Sequence, residues 1–142
     1  VIIVAMGPGV AGTGSRLGYT ALEVAPILDA VAWLGGRPIA CLRTSEADER
    51  SRHQGISHHT LTALDAVRSE VDIACPPGVA VVGARHRWHE VDPGDPAAML
   101  EAAGLRVTTM GRGPEQDPVF FAAAAAAGML AARWAGPGAG DR

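Results

Sequence analysis

Asp95-Pro96-Ala97-Ala98-Met99-Leu100-Glu101-Ala102-Ala103-Gly104-Leu105-Arg106-Val107-Thr108-Thr109-Met110 carries one complete helix-to-strand unit in a single stretch. Asp95 is a helix N-cap type, and Pro96 suits the first helical position, where no backbone N–H is needed. The helix is expected to run to Ala103 and to stop at Gly104. Leu105 to Met110 then reads as a strand. Downstream, Asp117-Pro118 repeats the start signal and opens a helix reaching about Trp134, with six consecutive alanines at positions 122–127 that allow close backbone approach.

Working back toward the start, the same alternation recurs. Residues 71–75 and 38–42 read as strands, and residues 1–6 (Val1-Ile2-Ile3-Val4-Ala5-Met6) as a first strand, apolar throughout as expected of a strand covered on both faces. Between them, Thr20-Ala21-Leu22-Glu23 fits a capping box, and Val24, Ile27, Leu28, Val31 and Leu34 recur at helical spacing before Gly35-Gly36. Pro26 marks either a kink or the first turn of that helix. Residues 43–55 form a long polar loop before a helix over about 57–69. Residues 78–87 fit either a strand or a short buried helix, and His89 to Asp92 reads as a short strand. Strands alternating with helices predict βαβ units, hence an α/β fold: a three-layer (αβα), Rossmann-like domain with a mostly parallel sheet. One domain over residues 1–134 is expected, with 135–142 as a Gly/Pro-rich flexible tail.

Composition narrows the partners. A net charge of −3 and pI near 5.9 give no basic footprint for nucleic acid or an anionic membrane, and 48% apolar with 19% charged residues is a globular balance. No apolar run reaches membrane-span length. All 12 basic residues are arginine, which points to GC-rich coding. The chain opens inside an apolar run without Met or a basic leader region, and so reads as a piece of something longer. Cys41 and Cys75 each sit in an apolar run without a C-x-x-C spacing. They read as small hydrophobes in a reducing cytoplasm.

Three loops carry candidate chemistry. Gly7-Pro8-Gly9-Val10-Ala11-Gly12 satisfies G-x-G-x-x-G after the first predicted strand, but Thr13-Gly14-Ser15-Arg16 prolongs the loop and no acidic residue closes the second strand. A backbone anion cradle involving Gly7, Gly9, Gly12, Thr13 and Gly14, or a purely structural turn, fits better than a dinucleotide site. In Arg52-His53-Gln54-Gly55-Ile56-Ser57-His58-His59-Thr60, neighbouring histidines at a helix start are expected to diverge, so no metal site is expected. His58 or His59, neutral near the positive end of a helix dipole, would instead suit a general base, against capping and packing roles. Arg43 and Arg112, the latter in Gly111-Arg112-Gly113, are placed to grip an anion, against an exposed turn for Arg112. No motif assigns a cofactor.

Several of these segments together resemble a known family. Met6-Gly7-Pro8-Gly9 with Gly12-Thr13-Gly14, Arg16-Leu17-Gly18, Gly35-Gly36-Arg37, Arg52-His53, Ser57-His58-His59-Thr60, Val91-Asp92-Pro93-Gly94-Asp95-Pro96 and Thr108-Thr109-Met110-Gly111-Arg112-Gly113 look like the C-terminal part of the bacterial DUF3866 family. Its function is unassigned, so the resemblance implies no catalytic residues. It does imply a longer protein at the amino end.

The expectation that follows is a small anionic ligand, phosphate- or carboxylate-bearing, held at the carboxyl edge of the sheet, where open α/β sheets place ligands. The rival is a non-catalytic interaction or oligomerisation domain, contacting a second copy or the missing amino-terminal region.

Overall fold

The computed structural model describes residues 1–5 and 10–136. It is a mixed α/β fold with a small, mostly parallel sheet. Helix α1 (Val24–Trp33) precedes strand β1 (Ile39–Cys41), the short strands β2 (Thr44–Ser45) and β3 (Gly55–Ile56), and helix α2 (His58–Ala66). Strands β4 (Asp72–Cys75) and β5 (Arg87–Glu90) follow, then helices α3 (Pro96–Ala102) and α4 (Pro118–Ala135). The main sheet has the order β1-β4-β5, all parallel, with Ile39 opposite Asp72 and Asp72 opposite Arg87. β2 and β3 form a separate antiparallel pair.

Local signals explain the helix boundaries. Asp95 Oδ1 accepts the Ala98 N–H at 3.0 Å, and Gly104 takes φ +65° beyond the end of α3. α1 closes in a Schellman arrangement: Gly35, at φ +77°, donates its N–H to Ala32 O at 3.0 Å and Gly36 donates to Val31 O at 2.9 Å. Pro26 falls in the first turn of α1, where it costs no hydrogen bond. Thr20 does not form the expected capping box. Its hydroxyl accepts the Ala11 N–H at 3.2 Å, and residues Thr20–Glu23 make a 3-10 turn ahead of α1.

Central strand β4 is buried at all four positions, and its alternation divides the core. Ile73 and Cys75 join Leu28 of α1 and Leu64 and Val67 near α2, whereas Ala74 joins Ala126, Ala127 and Leu130 of α4. The alanines of α4 thus perform the expected close approach. α4 is also 18 residues long with a mean hydropathy of 1.4, enough in length and composition to cross a membrane. In this fold Phe121, Ala123, Ala126, Ala127 and Leu130 are buried within the protein.

Because Ala126 has no exposed surface while Ala124 faces solvent, size should matter at one and not the other. Ala126→Leu is expected to lower unfolding free energy by about 1–3 kcal/mol through overpacking, and Ala124→Leu by less than ~0.5 kcal/mol. Urea denaturation of the two variants checks this; equal midpoints would refute the close packing of α4.

Two expected strands do not form. Residues 1–5 are irregular, with Val1, Ile2 and Ile3 at 77, 91 and 86% exposure, so the expected buried first strand is overturned. Residues 105–108 are likewise irregular, with Leu105 and Val107 exposed. Their composition is strand-like, but a strand is stabilised by cross-strand packing and burial, and among the described residues neither segment has a ladder partner. Residues 78–86 are irregular too, which resolves that ambiguity, and the strand expected at His89 to Asp92 starts two residues earlier.

Candidate ligand-binding site

The chain leaving the carboxyl end of β1 builds the site. Backbone and hydroxyl bonds pin it: Ser57 donates its N–H to Arg43 O at 2.8 Å, and Thr60 Oγ1 accepts the Arg43 N–H at 3.3 Å. The start of α2 is thereby held beside the end of β1. Ser57 Oγ accepts the His59 N–H at 3.3 Å as the helix cap.

Within this loop Asp48 is a buried hub, 3% exposed. Arg50 grips it in a fork, Nε to Oδ1 and Nη2 to Oδ2, each at 2.9 Å, and adds its backbone N–H at 3.0 Å. Arg43 Nη2 reaches Asp48 Oδ2 at 3.2 Å, and Arg112 Nη2 stands 3.8 Å away. The hydrogen bonds from Arg50, outweighing the opposite push of burial, hold the Asp48 carboxyl well below the usual range. Arg112 also donates to Asp117 Oδ2 through Nε at 3.2 Å and Nη2 at 3.1 Å. Its position is set by a tight turn in which Thr109 and Arg112 exchange backbone bonds of 2.8 and 2.9 Å, with Met110 at φ +49° and Gly111 at φ +81°. A positive φ at Met110 is costly for a residue with a side chain, and it aims Arg112 inward.

Beyond Asp48 lie three histidines. A 3-10 turn, Ser51–His53, turns His53 inward to 1% exposure, where Nδ1 meets Ser57 Oγ at 2.7 Å. The rings do not diverge as expected. His58 and His59 have centroids 4.2 Å apart, and His53 is 5.2 Å from the first and 4.9 Å from the second. Tyr19 explains part of this convergence: it stacks on His59 at 4.0 Å, and its hydroxyl donates to His59 O at 2.9 Å. One nitrogen from each imidazole lies within 4.8 Å of one from each of the others. His58 Nε2 and His59 Nδ1 are buried without a hydrogen-bond partner. Burial, together with Arg43 and Arg50, pushes His53 down to about 4, and burial with His58 and Arg43 does the same to His59. Burial with Arg52 and Arg43 lowers His58 as well. All three shifts favour the neutral imidazole, and their main causes are burial and neighbouring positive charge rather than the helix dipole.

Along α2 lies a groove of about 510 Å³, with Gly14, Ser15 and Arg16 on one wall and Arg52, His58, Leu61, Thr62 and Asp65 on the other, and Arg16 Nη2 donates to Asp65 Oδ2 across it at 3.0 Å. Its first wall is a turn in which Thr13 donates its N–H to Gly18 O at 2.7 Å. Gly12 suits a close approach, since a Cβ there would stand 3.1 Å from both Gly18 O and Tyr19 Cβ and its neighbours would have to give way. Of the expected ligand-binding residues, Gly14 lines the groove, Gly12 and Thr13 shape its wall, and Arg43 and Arg112 are engaged by carboxylates. Gly7 and Gly9 lie outside the described residues. From sequence, Arg52 and His53 take no ligand-binding role, although the density of Arg and His between positions 50 and 59 is a signal for one.

A family model described as a protein of unknown function, DUF3866, matches residues 1–128. The chain belongs to the DUF3866 family. That match covers the amino-terminal bulk of this DUF3866 chain rather than its carboxyl end, and it contains every residue of the arginine, histidine and groove clusters. No curated protein and no solved structure matches the chain.

Proposed function

We propose that this DUF3866 domain binds a small anionic ligand, phosphate- or carboxylate-bearing, in the groove at the carboxyl edge of β1. The supporting observation is Arg52: of the loop's three arginines, Arg43 and Arg50 pair with Asp48, while Arg52 is exposed and meets no carboxylate among the described residues. Arg52 lines the groove beside the first turn of α2, whose positive dipole end favours an anion. His58, whose shift favours the neutral imidazole, adds a side chain able to donate or accept a hydrogen bond. Arg43 and Arg112 act through Asp48 and Asp117, shaping the loops instead of gripping the ligand. Helices on either side of a parallel sheet fit a three-layer, Rossmann-like arrangement, and unpaired Cys41 and Cys75 fit a reducing cytoplasm.

A charge-assisted hydrogen bond contributes about 1.5–3 kcal/mol, so Arg52→Ala should weaken binding by roughly ten- to a hundredfold without changing the unfolding midpoint. Titration calorimetry against phosphate, nucleotides and dicarboxylates measures it. Unchanged affinity in the variant, or no binding to the wild-type chain, counts against the reading. In that event the interaction-domain alternative gains, supported by exposed Val1, Ile2, Ile3, Trp33 and Leu34.

A further inference from the structure

We propose that His53, His58 and His59 form a binding site for one divalent transition-metal ion, zinc by preference. The first support is convergence: three imidazoles, with one nitrogen each inside a mutual distance of 4.8 Å, are grouped without a carboxylate between them. For zinc–nitrogen bonds of about 2.0–2.1 Å in tetrahedral geometry the nitrogens stand roughly 3.4 Å apart, so the rings need close by little more than an ångström. The second support is the pair of orphaned nitrogens, His58 Nε2 and His59 Nδ1, both buried and both without a partner. A buried polar atom left unsatisfied is costly, and a coordinated ion would satisfy both.

The third support is orientation from outside the cluster. Ser57 Oγ at 2.7 Å from His53 Nδ1 fixes that ring, and in the tautomer with the proton on Nδ1 the Nε2 lone pair is available to an ion. Tyr19 stacked on His59 restrains the second ring. Adjacent histidines therefore need not share a helical face, because the third imidazole reaches them from the preceding 3-10 turn. An all-imidazole set suits zinc, copper or nickel over magnesium or calcium. Three protein ligands leave a fourth position for water or an anion, the pattern of catalytic zinc sites and not of closed structural ones.

Positive charge from Arg43, Arg50 and Arg52 opposes the ion, and Arg52 Nε sits 3.4 Å from His53 Nε2. Asp48 offsets only one of the two charges on Arg43 and Arg50, and Arg52 meets no carboxylate among the described residues, so its guanidinium must move aside when a cation binds. Arg52→Ala is therefore expected to tighten metal binding severalfold, while the anion reading predicts weaker anion binding from the same substitution. The two ideas thus fail separately.

The test is titration of the chelator-stripped full chain with zinc by calorimetry and with cobalt(II) by visible absorption. One equivalent should bind, with the intense cobalt bands of a four- or five-coordinate site. His58→Ala and His59→Ala should each weaken zinc at least thirtyfold. His86→Ala should change nothing, since His86 Nε2 hydrogen-bonds Leu64 O and is no member of the cluster. His53→Ala is interpreted only if its circular dichroism is native, because that ring is buried; the other two variants decide the matter otherwise. No stoichiometric binding, only weak octahedral cobalt bands, or wild-type affinity in the His58 and His59 variants would overturn the proposal.

Discussion

Asp72→Ala should lower the unfolding free energy by about 3 kcal/mol or more and the melting temperature by roughly 10 °C, because it strips the counter-charge from a buried hub. Asp72 opens β4 with no exposed surface and accepts hydrogen bonds from Arg37 Nε at 3.0 Å, Arg87 Nε at 2.9 Å and His89 Nε2 at 2.7 Å. These partners come from the lead-in to β1 and from β5, so one carboxylate ties all three strands together at their amino ends. Arg37 in turn lies over the Trp134 ring at 3.2 Å, which links α4 to the same hub. Both arginine side chains are about half exposed and can regain water, which keeps the expected cost at the lower end of the range for broken buried pairs.

The pH dependence has a definite sign. Burial alone would raise the Asp72 carboxyl, but hydrogen bonds from Arg87, Arg37 and His89 outweigh it and hold the group well below the usual range. A carboxylate depressed in the folded state contributes stability above its unfolded value, near ~3.9, and loses it as pH falls toward the folded value. Wild-type stability should therefore drop below about pH 4. Asp72→Asn, which keeps the shape and not the charge, should flatten that drop. Thermal melts between about pH 2.5 and 7 compare them, and an equally steep acid limb in the asparagine variant would refute the role of this hub.

What was legible in the sequence is what short-range chemistry decides. Asp95-Pro96 and Gly35-Gly36 mark helix ends through bonds spanning a few residues, Asp117-Pro118 marks one through proline at the first helical position, and α3, α4 and the close of α1 fall where they point. β1 and β4 were legible because each is flanked by a helix and a turn. Residues 1–5 and 105–108 have the same composition, yet pairing is not written in composition, and among the described residues they pair with nothing. The site was half legible for the same reason. His58, His59, Arg43 and Arg112 stand out as residue types, whereas Arg37 meeting Asp72 across 35 residues, or Ser45 meeting Asp117 across 72, are consequences of the chain's path.

Asp117→Ala carries the second large effect, expected at about 2–4 kcal/mol, and tests whether the two loops at the carboxyl edge are one unit. Asp117 is fully buried directly before α4, but its carboxylate does not cap the helix. It accepts Ser45 Oγ at 2.6 Å and both Arg112 donors, which joins the 109–117 loop to β2. Removing it leaves the Ser45 hydroxyl buried without that partner, and leaves Arg112, about one-fifth exposed, with only Asp48 at 3.8 Å. If that stranded charge is the main cost, removing the arginine as well should recover part of it. The double variant Arg112→Ala/Asp117→Ala is then more stable than the sum of its single variants implies. Hydrogen exchange adds a local reading, since the amides of Thr109 and Arg112 and of the first turn of α4 should lose protection before the amides of β4 do. An Asp117→Ala change below ~0.5 kcal/mol, or strictly additive single and double variants, would mean that the two loops are neighbours without being coupled.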